Sequence, residues 1–294
     1  MSQGSTTARA SLECKLDAAL ESPVAGLSPW ILMAVIETPA RFELAAAAAL
    51  GVALLVVALA WIRGASPKLL EFVDIAFFAG LTLLAAVAGD ELRDVLEKWA
   101  GEISAGSLTL IVLGTIAARR PFTMQYARDS VAPELWESGP FIHTNYVLSW
   151  VWCGAFALTA IGGAAGVLLL DQPNNFWTCW TIQAGAMIFA LRFVGWYPEV
   201  VRARARRAAG LPTDLEPPLS ALFLPLCPYI TTLGILTLAL ESAPEAVGIL
   251  LILAGILLTR LLAGRGRREA RARDGSATMP GRLSQADSSR KARG

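Results

Sequence analysis

Residues 44–62 read LAAAAALGVALLVVALAWI, nineteen residues without a charge between Glu43 and Arg63. A helix needs about 20 mostly apolar residues to cross the hydrocarbon core of a bilayer, so this run alone spans one. Its unbroken hydrophobicity lacks the alternation of a barrel strand, which makes the span helical. The rest of the chain repeats the pattern. Leu69 to Gly89, Ile103 to Ala118, Thr144 to Leu170, Gln172 to Leu191, Pro217 to Leu240 and Ala246 to about Gly264 are the further apolar runs. They predict an all-α polytopic transmembrane bundle of about seven spans. It occupies residues 26–264, between a polar N-terminal tail (1–25) and a basic C-terminal tail (265–294) expected to be disordered.

Composition agrees. Of 294 residues, 55% are hydrophobic and only 17% charged, with a mean hydropathy of +0.53; a water-soluble domain carries about a quarter charged residues. The 25 basic and 24 acidic side chains nearly cancel, which argues against a globally basic fold for specific nucleic-acid binding. One histidine and four scattered cysteines leave neither a histidine-rich metal site nor a disulfide framework. Nothing in the sequence calls for a cofactor, and the oligomeric state stays open.

Charge is distributed by side. Arg63 and Lys68, then Arg119, Arg120 and Arg128, then Arg202, Arg204, Arg206 and Arg207, and the tail from Arg260 onward fall on alternate connections. The intervening ones are acidic or neutral. The positive-inside rule therefore puts the basic connections and the C-terminus in the cytoplasm of a bacterial inner membrane. Seven spans then put the N-terminus outside. Asp90 to Glu102 reads as a short amphipathic helix on the outer surface. The segment from Ser28 to Ile36 is apolar but too short to span. It is either an interfacial helix with Trp30 at headgroup level, a re-entrant half-helix shielded by protein, or one arm of a hairpin with the first span. The hairpin would move the N-terminus inside and raise the count to eight.

Few polar groups lie within the bilayer, where ionisable side chains are functional candidates because burying one costs at least ~2.5 kcal/mol. Glu71 and Asp74 stand three residues apart at the start of the second span, on one helical face. Arg192, near the cytoplasmic end of the fifth span, is a potential partner for either. His143 precedes the fourth span. Either these groups are satisfied locally or Asp74 belongs to a proton or cation path, which would make the protein a transporter or channel. An enzyme is less favoured, because no nucleophile–base pair, phosphate loop or metal-ligand cluster is present. Gly162, Gly163 and Gly166 predict close helix approach, and Pro225 and Pro228 a kink in the sixth span.

The connection Arg119-Arg120-Pro121-Phe122-Thr123-Met124-Gln125-Tyr126-Ala127-Arg128, continuing through Trp136 to Phe141, is too aromatic for a solvated linker. It reads as a surface-lying connector anchored by Phe122, Tyr126 and Trp136, or as a docking surface for a partner. Here the chain resembles the intracellular septation protein A family of bacterial inner-membrane proteins. The likeness lies in the order Arg119-Arg120-Pro121, Pro133-x-x-Trp136 and Trp152. Pro29, Asp90-Glu91, Lys98-Trp99, the turn Gln172 to Trp177, and Tyr197-Pro198 follow the same order. It covers roughly residues 26–200; two further spans, an arginine-rich loop and a basic tail depart from it. The resemblance implies a non-enzymatic role in envelope maintenance or septation through contacts with cell-wall elongation and division proteins, and carries over no catalytic residue.

Overall fold

The computed structural model describes residues 23–36, 41–64, 66, 68–173, 175–211 and 216–277. The polar N-terminal tail as far as residue 22 and the tail beyond Ala277 lie outside them. Among the described residues the protein is helical throughout. The chain divides after Ala186 into two compact units.

In the first unit, α1 (Pro23–Ile36) packs on α2 (Phe42–Ile62) and α3 (Leu69–Val87), and α4 (Asp90–Ala117) packs on α6 (Gly139–Leu169). Between them lies the short α5 (Phe122–Ser130), followed by a 3₁₀ turn at Pro133–Leu135. A π-helical turn, Phe176–Thr181, leads into α7 (Ile182–Ala208). The second unit holds most of α7, then α8 (Leu219–Phe223), α9 (Leu226–Ala239) and α10 (Glu245–Ala277).

The packing is that of a membrane bundle. On α2 the buried stripe is Phe42, Ala45, Ala46, Ala49, Ala53, Val56 and Ala60, at helical spacing, while Leu44, Leu54, Leu55 and Trp61 point outward. Small residues inside and leucines outside is the arrangement that suits lipid, where apolar burial supplies no drive between helices and close backbone approach supplies dispersion. Exposed leucines on α3, α4, α6, α9 and α10 repeat it. The α6 glycines do what the sequence predicts. A Cβ on Gly162 would stand 2.9 Å from the Thr178 carbonyl oxygen, Gly166 abuts the Thr178 side chain, and Gly163 receives the Glu102 carboxylate.

Four expectations are corrected. Among the described residues six helices, against about seven spans expected, are long and apolar enough to cross: Phe42–Ile62, Leu69–Val87, Asp90–Ala117, Gly139–Leu169, Leu219–Ala239 and Glu245–Gly264. The segment 172–191 is not one of these six because its apolar residues are shared between the π turn, capped by the Asn175 side chain on the backbone N–H groups of Trp177 and Thr178, and the start of α7. The α-helix it joins then carries Arg192, Glu199 and four more arginines. Asp90 to Glu102 is not a separate surface helix but the first half of α4, since nothing between Glu102 and Ile103 breaks the helix. Glu102 is thereby carried onto the α6 glycines. The C-terminal tail is helical as far as Ala277, thirteen residues beyond Gly264. Arginine, glutamate and alanine are good helix formers, and extending an existing helix needs no new nucleus. Trp30, finally, is turned into the bundle and not toward headgroups.

Pro225 interrupts the sixth apolar run as expected, separating α8 from α9, whereas Pro228 lies within the first turn of α9. Further on, α9 and α10 meet backbone to backbone. A Cβ on Gly234 would stand 2.6 Å from the Gly248 carbonyl oxygen and 2.8 Å from the Ile252 nitrogen. Neither atom can rotate away, so Gly234→Ala should cost about 2 kcal/mol by overpacking. Unfolding in mixed micelles measures this, and unchanged stability would mean the hairpin is packed differently.

Candidate functional site: a buried polar cluster beneath an ordered loop

Helix α4 ends in a Schellman motif. The Arg119 N–H donates to the Ile116 carbonyl (3.0 Å) and the Arg120 N–H to the Thr115 carbonyl (2.9 Å). Arg119 itself takes the left-handed position, φ +57°, usually given to glycine. Pro121 then bars any continuation of the helix. The Arg-Arg-Pro triplet is therefore a helix stop, and it turns the chain back under the bundle as α5.

One face of α5 carries Phe122, Thr123 and Tyr126, all buried. The Thr123 hydroxyl donates to the Asn145 carbonyl (2.9 Å) and lies 2.9 Å from the Ser149 hydroxyl, tying α5 to α6. The Gln125 side-chain oxygen accepts from the Leu69 N–H (2.8 Å), and Asp129 pairs with the Lys68 ammonium (2.5 Å), tying α5 to the start of α3.

Directly inward lie the two carboxylates. Glu71 is 3% exposed and caps its own helix by accepting from the Lys68 N–H (3.1 Å). Asp74 is 1% exposed and accepts from the Trp30 indole N–H at 2.7 Å. The Trp30 ring stacks on Phe77 (centroids 4.6 Å apart) and tilts against Phe78 (4.8 Å). Helix α1 is thus held by one buried hydrogen bond inside an aromatic clasp. Tyr126 closes the cluster. It is 5% exposed, its hydroxyl presses on Gly26 of α1, and it has no hydrogen-bond partner. Burial pushes the phenol up from its ordinary value, and the carboxylates of Glu71, Asp74 and Asp129 push it further, so it stays a neutral donor.

The structure therefore joins Glu71, Asp74, Tyr126 and Phe122, which the sequence reading had placed in two separate groups. Pro121, Phe122 and Tyr126 serve as anchors facing inward. Arg119, Arg120 and Arg128 are exposed, and the Arg128 guanidinium lies 5.1 Å over the half-buried Trp136 ring. Trp136 is fixed by its indole N–H donating to the Val131 carbonyl (2.9 Å). His143 is exposed on the first turn of α6. Arg192 is in the second unit, also exposed, and forms no ion pair among the described residues.

The chain matches no family model, no curated protein and no solved structure. Its chemistry must be read from its own residues. Among those described, no group of three or more His, Cys, Asp or Glu side chains is placed to hold a metal. Two buried carboxylates, a neutral phenol and one lysine already paired with Asp129 form a structural knot joining α1, α3 and α5. It can also hold a proton.

Trp30, Lys68, Gln125 and Asp129 were not foreseen as part of this site. Lys68, one turn before Glu71, offered a local signal. The Trp30–Asp74 bond crosses 44 residues, and no local pattern announces it.

Proposed function

We propose that this chain is a non-enzymatic, multi-pass protein of the bacterial inner membrane that presents loop 119–142 to protein partners in envelope maintenance or septation. The observation that carries this reading is the division of labour within the loop. Phe122, Thr123 and Tyr126 lock it to the bundle, while Arg119, Arg120 and Arg128 are left on the outside. A loop held by two side-chain bonds to α3 and two contacts to α6 is pre-organised, so a partner need not meet the entropy of ordering it. The envelope assignment follows from the resemblance of residues 26–200.

The contact of Gly26 with Tyr126 supports a start for α1 at the same end as the basic loop. With basic connections inside, such a start fits the hairpin alternative, in which α1 pairs with α2 and the N-terminus is cytoplasmic, against the outside position of the seven-span count. The arginines at 202–207 and from Arg260 onward support a cytoplasmic C-terminus as well, which requires the π turn and α7 together, Phe176 to Ala208, to cross in addition to the six helices.

A photo-crosslinking residue placed at Arg120 or Trp136 in living cells tests the proposal. We expect adducts with one or a few envelope or division proteins, falling about tenfold when Arg119, Arg120 and Arg128 are all changed to Glu. The melting temperature should hold, because none of the three lies in the core. Adducts with lipid alone would sink the reading. A second reading, a proton or cation path through Asp74, draws on the burial of Glu71 and Asp74. It would gain if Asp74→Asn abolished flux in proteoliposomes while leaving the adducts intact.

A further inference from the structure

A groove of about 340 Å³ opens between α9 and α10, lined by Pro228, Thr231 and Thr232 on one side and Ile256, Thr259 and Arg260 on the other. Arginine is costly within an apolar run, yet Arg260 stands there with no ion pair or hydrogen bond among the described residues. It lies four residues before Gly264, where the apolar stretch of α10 ends. At 1.5 Å per residue this is about 6 Å inside that end, the depth at which a guanidinium on its flexible stem meets lipid phosphates.

The hydroxyls beside it are sorted by role. Thr231 donates to the Cys227 carbonyl (3.2 Å) and Thr259 to the Gly255 carbonyl (2.7 Å). Their protons are committed, so their oxygens are left only as acceptors, and that of Thr231 is turned toward Gly255 on the facing helix. Thr232 is exposed and has no such bond, so it remains a donor. The groove thus offers a planar cationic fork and one hydroxyl donor for a phosphodiester. The Thr259 oxygen suits a headgroup hydroxyl, and Pro228 and Ile256 provide apolar wall for the start of an acyl chain. Its walls are rigid: a Cβ on Gly255 would stand 2.7 Å from the Thr231 nitrogen, so the two helices are in backbone contact beside the groove.

We infer that this groove is a binding site for an anionic phospholipid with a hydroxylated headgroup, its phosphate held by Arg260 and Thr232. Free phosphate shares the anionic chemistry but leaves the Thr259 acceptor and the apolar wall without a role. This site is separate from loop 119–142 and does not rest on the function proposed for it.

The full-length protein is equilibrated with mixed phosphatidylglycerol and phosphatidylcholine, and its retained lipid is counted by native mass spectrometry. Wild type should keep one phosphatidylglycerol in preference to phosphatidylcholine. Arg260→Gln should lower that retention about tenfold, the loss of one charge-assisted contact, and Thr232→Val by a smaller factor. Arg202→Gln, which removes the same charge from α7, should change nothing. Circular dichroism and melting temperature confirm that each variant is folded; Thr232→Val, which deletes no charge, keeps the test valid if Arg260→Gln does not fold. The inference is overturned if wild type shows no preference, if Arg202→Gln matches Arg260→Gln, or if millimolar inorganic phosphate displaces the bound lipid.

Discussion

Replacing Trp30 by alanine will undock helix α1. The substitution removes the ring that stacks on Phe77 and tilts against Phe78, and it takes away the hydrogen bond that the Asp74 side chain accepts. Truncating a buried tryptophan costs about 3–5 kcal/mol, and an unpaired buried polar group adds about 1–3 kcal/mol. That is a large share of any membrane bundle's stability. Trp30→Phe separates the two parts. It keeps an aromatic ring between Phe77 and Phe78 but has no N–H, so only the second cost should remain. Asp74→Asn keeps an acceptor for the indole and should be milder still. The ordering Trp30→Ala, then Trp30→Phe, then Asp74→Asn can be read from unfolding midpoints in mixed micelles. If Trp30→Ala melts with wild type, α1 is not clasped in this way.

The clasp shows what a linear reading can and cannot reach. The uncharged run 44–62 became α2 because its length and composition leave no alternative in a membrane. Glu71 and Asp74 were legible as a pair because three-residue spacing on a helix is a local property. Their partner was not. Trp30 sits in a segment too short to span, and a tryptophan with one polar edge fits headgroup level and a buried acceptor equally well. Only tertiary packing decides between them. The loop aromatics misled for a related reason. Phe122 and Tyr126 suit an interface, yet with Thr123 they form a helical stripe, and a stripe points to whatever surface lies beneath it. Asp90 to Ala117 was divided where its charges ended, although a change from amphipathic to apolar sequence does not interrupt the backbone. The same lesson holds for α10, which passes Gly264 and continues through arginines to Ala277. Charge marks where a helix leaves the membrane, whereas only caps, glycines and prolines mark where it ends.

Gly26 supplies the second large effect, with a compensating variant built in. A Cβ at Gly26 would collide with the Tyr126 hydroxyl and stand 3.1 Å from a Leu70 methyl. Tyr126 cannot move aside freely, since it is buried and sits edge-on to Phe122 (centroids 6.4 Å apart). Gly26→Ala should therefore cost about 2 kcal/mol and loosen α5, so that protease sites in loop 119–142 become more accessible. Tyr126→Phe alone should be neutral or stabilising by about 1 kcal/mol, because the hydroxyl it deletes is buried without a partner. In the Gly26→Ala background the same change removes the colliding atom and should recover most of the loss, a non-additivity that marks direct contact. The double variant also bears on how the loop works. If restored packing returns the protease resistance of loop 119–142 together with its crosslinks, then the pose of α5 governs partner capture. Additive losses in the double variant would mean that Tyr126 does not rest on α1, and the N-terminal helix would then have no part in setting the loop.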